Sequence, residues 1–270
     1  MSSLARYLRL YMALARYGLV RELAFRANFV AKVFVEVLWL FILVAFYRTV
    51  FSKTSMVGDW SEYQYLFFLG CYFAMEGCIE TLFLENCNVF SDLIRSGDLD
   101  FFLLKPIDEQ FLVTCRNIDW STAPNVLMGA ILMAVALFQD GWSIHVGSVL
   151  LFLVMFGCGL AMAYSFLLFL TSTAVWLTRN QSLFEMWWLF TSLMRYPREI
   201  FVGKYATPMG LFFTFIIPIL LVVNVPARIM VKTVDNPWLV LFTVLATVIL
   251  LIASRMFFRA ALRRYRSASS

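Results

Sequence analysis

The chain reads as an all-α membrane protein of six transmembrane helices. Hydrophobic residues make up 62% of it and charged residues 14%, against roughly 45–50% and roughly 25% in a soluble domain. Apolar segments of about 20 residues recur, long enough to cross a bilayer as helices, whereas the alternating segments of about 10 residues that build a barrel do not. Positive charge is concentrated at the two ends. Arg6, Arg9, Arg16, Arg21 and Arg26 precede the first apolar segment, and Arg255, Arg259, Arg263, Arg264 and Arg266 lie at or after the end of the last. Basic flanks stay on the cytoplasmic side, so both termini are expected inside and the number of spans even. The same placement argues for a membrane surface, and against nucleic acid, as the partner of the net charge of +5.

Taken in order, the spacing predicts one transmembrane domain over 1–270. An interfacial region (1–27) holds an amphipathic helix at 3–18. Leu4, Tyr7, Leu8, Tyr11, Leu14 and Ala15 share one face and Arg6, Arg9 and Arg16 another, so it would lie flat on the inner leaflet. Spans 1 and 2 fill 28–86 (about 28–50 and 62–86) around an outer loop at 52–61. Lys32 and Glu36, four apart, are placed to pair. A cytoplasmic loop (87–117) follows. Spans 3 to 5 fill 118–195, with a Lys- and Arg-free outer loop at 139–147 and a tight inner loop at 178–181. Span 5 is interrupted by Arg195-Tyr196-Pro197-Arg198-Glu199 after about 13 residues, or about 20 Å, short of the roughly 30 Å hydrocarbon core. The next apolar run, Leu211 to Val223, contains Pro218 and ends at Asn224-Val225-Pro226. Counting it as a full span would make seven and put the basic C-terminus outside. The reading is therefore a broken helix with a re-entrant hairpin in an external region (196–236), marked by Pro197, Pro218 and Pro226. Span 6 and a basic tail occupy 237–270.

The chemistry carried by the spans is sparse. Glu76 and Glu80 share one face of span 2, Glu76 about 21 Å from its outer end. A charge at that depth must face protein or water, either as a cavity-lining or proton-binding acid or as an interhelical hydrogen-bond partner. Arg195 lies nearer the outer surface, which speaks against direct pairing with Glu76. Arg116 and Asp119 are expected to pair at the inner end of span 3. The five cysteines, Cys71, Cys78, Cys87, Cys115 and Cys158, form no Cys-x-x-Cys pair and read as small core residues. The single His145 cannot supply a multi-His metal site, and no metal or catalytic residue is expected. No GxxxxGK[ST] phosphate loop is present, so the chain cannot hydrolyse ATP by that device.

The segment 91–106 is too charged for the bilayer, through Asp92, Arg95, Asp98, Asp100 and Lys105, and too apolar for an idle loop. A short amphipathic element on the membrane surface, built to touch a partner, fits both properties.

Two stretches resemble a known family. Ile94-Arg95-Ser96-Gly97-Asp98-Leu99-Asp100, with Leu103-Leu104-Lys105-Pro106, is similar to the cytoplasmic loop of the type-2 permeases of bacterial ABC exporters, chains of about 260 residues. Tyr196-Pro197-Arg198-Glu199-Ile200-Phe201, with Ile216-Ile217-Pro218 and Val225-Pro226-Ala227, resembles the same family's late segment. The order, the spacing and the basic ends agree over most of the chain. Arg198-Glu199 departs from the pattern, where members often carry aliphatic or small residues, so any substrate contact there is not carried over.

The resemblance implies a permease subunit of an ATP-driven exporter in the bacterial inner membrane. It would move its substrate outward or from the inner to the outer leaflet, and it has no ATPase motif of its own; the aromatic- and Met-rich spans suit a lipid-like or amphipathic drug-like cargo. Two separate ATPase subunits would supply ATP and Mg, and a second permease, related rather than identical, would complete a heterodimer among membrane lipids. The coupling helix would meet the ATPase through Leu93, Ile94, Leu99 and Phe102, with Gly97 at a turn and Arg95, Asp98 and Asp100 setting register. Glu76, Glu80 and Arg195 are candidates for a cavity or interface. An ion-coupled secondary transporter is the alternative, favoured by the broken helix and the mid-span Glu76. A membrane-embedded enzyme would need convergent polar groups at one depth, and a purely structural anchor would leave the re-entrant segment without a purpose.

Overall fold

The computed structural model describes residues 3–141, 145–177, 181–232 and 237–265. Of the described residues 83% are helical. Among the described residues the nearest approach to a sheet is an isolated bridge between Val57 and Trp60. The inner loop expected at 178–181 falls largely on residues outside the described set, as do the middle of the loop at 139–147 and the last residues of the basic tail.

Helix α1 (Ser3–Ala24) leads into α2 (Arg26–Phe51) through a single break at Phe25. After the outer loop, α3 (Glu62–Ile79) opens with a capping box from Ser61 and Gln64. It passes through a π-turn at Glu80–Leu84 into α4 (Glu85–Ser96). The helix of the second span therefore runs on past 86 into the charged segment. It is one 35-residue helix of about 52 Å, some 20 Å longer than the hydrocarbon core. No Pro or Gly interrupts it where the charges begin. The π-turn has a local cause. The Thr81 carbonyl accepts the Asp119 backbone N–H at 3.0 Å, and the Thr81 and Thr122 hydroxyls bond at 2.9 Å, which re-satisfies a carbonyl freed by the extra residue.

Next come α5 (Leu99–Leu103), α6 (Glu109–Thr114), α7 (Ala123–Gln139), α8 (Val146–Leu177) and α9 (Gln181–Met194). The interruption after Met194 lies where the sequence placed it. A 3-10 turn at Arg198–Ile200 follows, then α10 (Ala206–Leu211), a second π-turn (Phe212–Ile216), α11 (Ile219–Val231) and α12 (Pro237–Arg264). The two halves Ala206–Ile216 and Ile219–Val231 meet at 86°, with the break at Ile217–Pro218.

The apolar run ends at Asn224-Val225-Pro226, but the helix continues through Pro226 to Val231. Proline removes the hydrogen bond to the carbonyl four residues back, here that of Val222. This carbonyl lies against Gly159 of α8, where any side chain would collide with it. Close helix approach thus covers the defect.

Four described helices are long and apolar enough to cross a membrane (α2, α3–α4, α8 and α12), or five if the bent pair is one span. The expected third and fifth spans correspond to the shorter α7 and α9. The core is built around α3, whose residues from Tyr65 to Gly77 are all buried against α7, α8 and α11. Gly70 and Gly129 let the α3 and α7 backbones touch: a Cβ on Gly129 would lie 2.5 Å from the Ala74 nitrogen. This is the small-residue packing of helices in lipid. In contrast α2, equally apolar, buries only Leu43 and Tyr47.

Candidate functional site

The protruding end of α4 presents two faces. Cys87, Phe90, Ser91 and Ile94 point inward, and Asp92, Arg95 and Ser96 outward, the last pair of charges joined by a salt bridge. Gly97 ends the helix at φ 77°, a left-handed C-cap that glycine adopts without strain. Nothing lies within 4 Å of where its Cβ would be, so the backbone alone demands glycine there. The chain then turns into α5, whose Leu99 is fully buried. With Phe90, Ile94 and Val113 it packs on Leu168 and Ala174 of α8 and Phe258 of α12.

This arrangement corrects two of the expected partner contacts. Ile94 and Leu99 hold the element to its own spans and are not available to a second protein. Leu93 and Phe102 are partly buried, Phe102 lying under Lys105 at 4.7 Å and Arg116 at 4.9 Å. The apolar side chains that do face outward are Phe101, 67% exposed, and Leu104, 81% exposed. Arg95 and Asp98 are exposed too and Asp100 is half-buried. Two-faced spacing of apolar residues signalled such an element. A five-residue helix is too short for periodicity to say which of Leu99 and Phe101 is inside.

A second layer braces the element. Asp108 caps α6 by accepting the Phe111 N–H at 3.2 Å. It also takes Arg255 of α12 at 2.7 Å, and its backbone N–H donates to the Tyr7 hydroxyl at 2.9 Å. Arg6 donates to the Pro106 carbonyl at 3.1 Å, Tyr7 packs edge-on against Phe111, and Trp120 donates to the Ala15 carbonyl at 2.8 Å. Helix α1 is therefore strapped across residues 106–120 as well as presenting an exposed apolar side through Leu8, Met12 and Val20. Asp108→Ala removes a cap and the partner of Arg255. It should cost about 1 kcal/mol of stability, read as a lowered thermal midpoint in detergent, with an unchanged midpoint ruling out the joint.

Beside this end opens a cavity of about 510 Å³ lined by Lys32, Glu36, Glu80, Glu85, Asp119 and Trp188, among others. Lys32 does not pair with Glu36. It lies 3.7 Å from Asp119 and donates to Ser121 at 3.0 Å. Asp119 in turn pairs there rather than with Arg116, whose guanidinium stacks on Phe102. Burial lowers the pKa of Arg116, with Glu85 opposing and Arg21 reinforcing the shift. Glu85 is held by Arg21 at 3.3 Å.

At membrane depth, Glu76 accepts the Tyr72 hydroxyl at 2.7 Å, and Arg195 donates to the same hydroxyl at 3.3 Å. Arg195 also covers the faces of Trp39 and Tyr72. Glu76 and Arg195 are thus joined through Tyr72, one helical turn away, rather than directly. Glu80 belongs to the cavity wall and not to this relay.

The opposite end of α3 carries a polar cluster that sequence reading missed. Glu199 accepts Trp60 Nε1 at 3.0 Å and Asn224 Nδ2 at 2.8 Å on one oxygen, and Arg228 at 2.7 Å on the other. Arg228 reaches Asp59 at 3.2 Å, and Lys232 reaches it at 2.8 Å. Burial works against ionisation of Asp59, but Lys232 and Arg228 together bring its pKa below the ordinary value. Of the three prolines singled out, Pro197 leads into the turn bearing Glu199, Pro218 marks the bend, and Pro226 lies within α11.

Nothing among these groups forms a nucleophile–base pair. The geometry is that of a helical membrane body with a braced, outward-facing element at one end and a pinned, broken helix at the other. A search among curated proteins finds no match. A family model described as an ABC-2 family transporter protein matches residues 37–269, which includes the charged element, the broken segment and helices α3 to α12. By that match the chain belongs to the ABC-2 family of transporter proteins, the membrane-spanning component of an ABC transporter and not its ATPase.

Proposed function

We propose that this chain is the permease subunit of an ATP-driven exporter, coupled to a separate ATPase through the exposed face of 95–105. The observation that carries the reading is that Phe101 and Leu104 are largely exposed in a segment whose Arg95, Asp98 and Lys105 are exposed too, with Leu99 and Ile94 packed against α8 and α12. An apolar anchor among charged residues suits a protein groove. Its rigid backing suits transmission of ATP-driven closure into the spans. Two ATPase subunits and a second, related permease complete the assembly, with both termini on the cytoplasmic face of a bacterial inner membrane. The second permease also answers a physical need, because a cavity lined by Lys32, Glu36, Glu80, Glu85 and Asp119 is poorly suited to face lipid. The cargo is hydrophobic or amphipathic: the polar cavity bears the exposed Trp188, and α8, α9 and α11 enclose an apolar cavity of about 230 Å³.

The deciding experiment co-expresses the chain with an ATPase and a second permease encoded beside it and reconstitutes the complex in vesicles. Export of amphipathic probes should require ATP and stop with an ATPase inactivated in its phosphate loop. The buried Glu76 favours the ion-coupled alternative. Transport that continues without ATP and collapses when an ionophore dissipates the ion gradient would establish it instead.

A further inference from the structure

We infer that the side chains gathered on Glu199 form a latch that closes the end of the molecule remote from the coupling element, and that Glu199 is its central positioning residue. The inference rests on the permease reading for what the latch serves, but its geometry stands alone. Three pieces of chain distant in sequence meet there: the loop bearing Asp59 and Trp60, the 3-10 turn bearing Glu199, and α11 bearing Asn224, Arg228 and Lys232. Glu199 uses both carboxylate oxygens. Two of its donors come from residues with no exposed surface, Trp60 and Asn224, so its loss leaves them without that partner at once. Close fit supports this: Gly58, at φ 64°, lies against Glu199 so tightly that a Cβ would come within 3.3 Å of the Glu199 Cβ.

Two features mark the cluster as made to open rather than as a static core. Buried ion pairs are often no more stabilising than apolar residues of the same volume, and unlike an apolar plug they can be taken up by water when parted. The segment that carries Glu199 also lies between two joints. It begins at Pro197, after α9 has ended, and runs to the 86° break at Ile217–Pro218. Movement of α11 away from the Asp59 loop would break the Glu199, Asp59 and Trp60 contacts together. The same helix carries Val222 on the wall of the 230 Å³ apolar cavity, so the latch and that cavity are one rigid element apart.

The test uses the full chain in membranes. Ala227 has no exposed surface and lies between Asn224 and Arg228 of α11. An Ala227→Cys reporter is labelled with a membrane-impermeant maleimide from the side of the Asp59 loop. Labelling should be slow in an otherwise native chain and at least tenfold faster when Glu199→Ala is added. Asn224→Leu, which removes one donor at similar volume, should accelerate it too. Continued protection of the buried Cys71 and Cys87 reports an intact fold, and if Glu199→Ala fails that check, Asn224→Leu decides. Unchanged labelling in a folded variant would overturn the latch. Co-expressing the reporter with the second permease and the ATPase, native latch intact, and adding ATP should also speed labelling. If Glu199→Ala accelerates it and ATP does not, the latch stands and the ATP-driven reading fails.

Discussion

Replacing Phe101 and Leu104 together by Asp should leave a folded, monodisperse protein that no longer retains its ATPase. Both side chains are largely exposed, and surface changes of this kind usually move stability by no more than about 0.5 kcal/mol. As two apolar anchors of an interface, at about 2 kcal/mol each, their loss would weaken association more than a hundredfold. Leu99→Asp, only two residues from Phe101, should do the opposite. It puts a carboxylate among Phe90, Ile94, Val113, Leu168 and Phe258. Truncating a buried leucine alone costs about 2–5 kcal/mol, and an unpaired buried charge adds to that. Folded Leu99→Asp protein should therefore be scarce. Quantitative co-purification with size-exclusion profiles separates the cases. ATPase retention by the Phe101/Leu104 double variant would sink the assignment of that face.

The second large effect is expected at the α3–α7 crossing. In Gly129→Val the new Cβ would lie 2.5 Å from the Ala74 nitrogen and 2.6 Å from the Gly70 carbonyl oxygen. Both are backbone atoms, so no rotamer relieves the clash and the helices must separate. Overpacking of ordinary cores costs about 1–3 kcal/mol, and a backbone collision on the principal helix pair should exceed about 3 kcal/mol. Yield of monodisperse protein and the thermal midpoint should both fall sharply. Gly157→Val provides the control, since nothing lies within 4 Å of its Cβ position. Equal behaviour of the two variants would mean that α3 and α7 do not cross at these glycines.

Much of the architecture is legible in the chain because it follows from composition and breakers. The basic ends, the long apolar runs, the interruption at Pro197 and the bend at Pro218 are local signals, and each lies where the sequence places it. The charges after 86 mark where the chain leaves the apolar run but do not end the helix, since a helix continues into water without a breaker. Pro226 shows the converse: a proline inside a helix is tolerated where close packing, here at Gly159, covers the freed carbonyl.

The candidate sites were less legible, for a different reason. In a soluble protein an apolar stripe identifies the buried face. Within a bilayer, lipid and protein interior are both apolar, so α2 and α3 look alike in sequence although one is almost wholly exposed and the other almost wholly buried. Polar groups at the ends are a matter of long-range assembly. Trp60 and Glu199 are 139 residues apart, and Asp59 and Arg228 169, and no periodicity links them. By itself the sequence determined a helical membrane protein with a charged element between two spans and a helix broken at proline. Tertiary structure decided that Phe101 and Leu104, not Leu99 and Ile94, face outward, and that Glu199 ties three remote segments together. Both follow from how helices dock, which depends on shape and on pairing of buried polar groups rather than on local hydrophobicity.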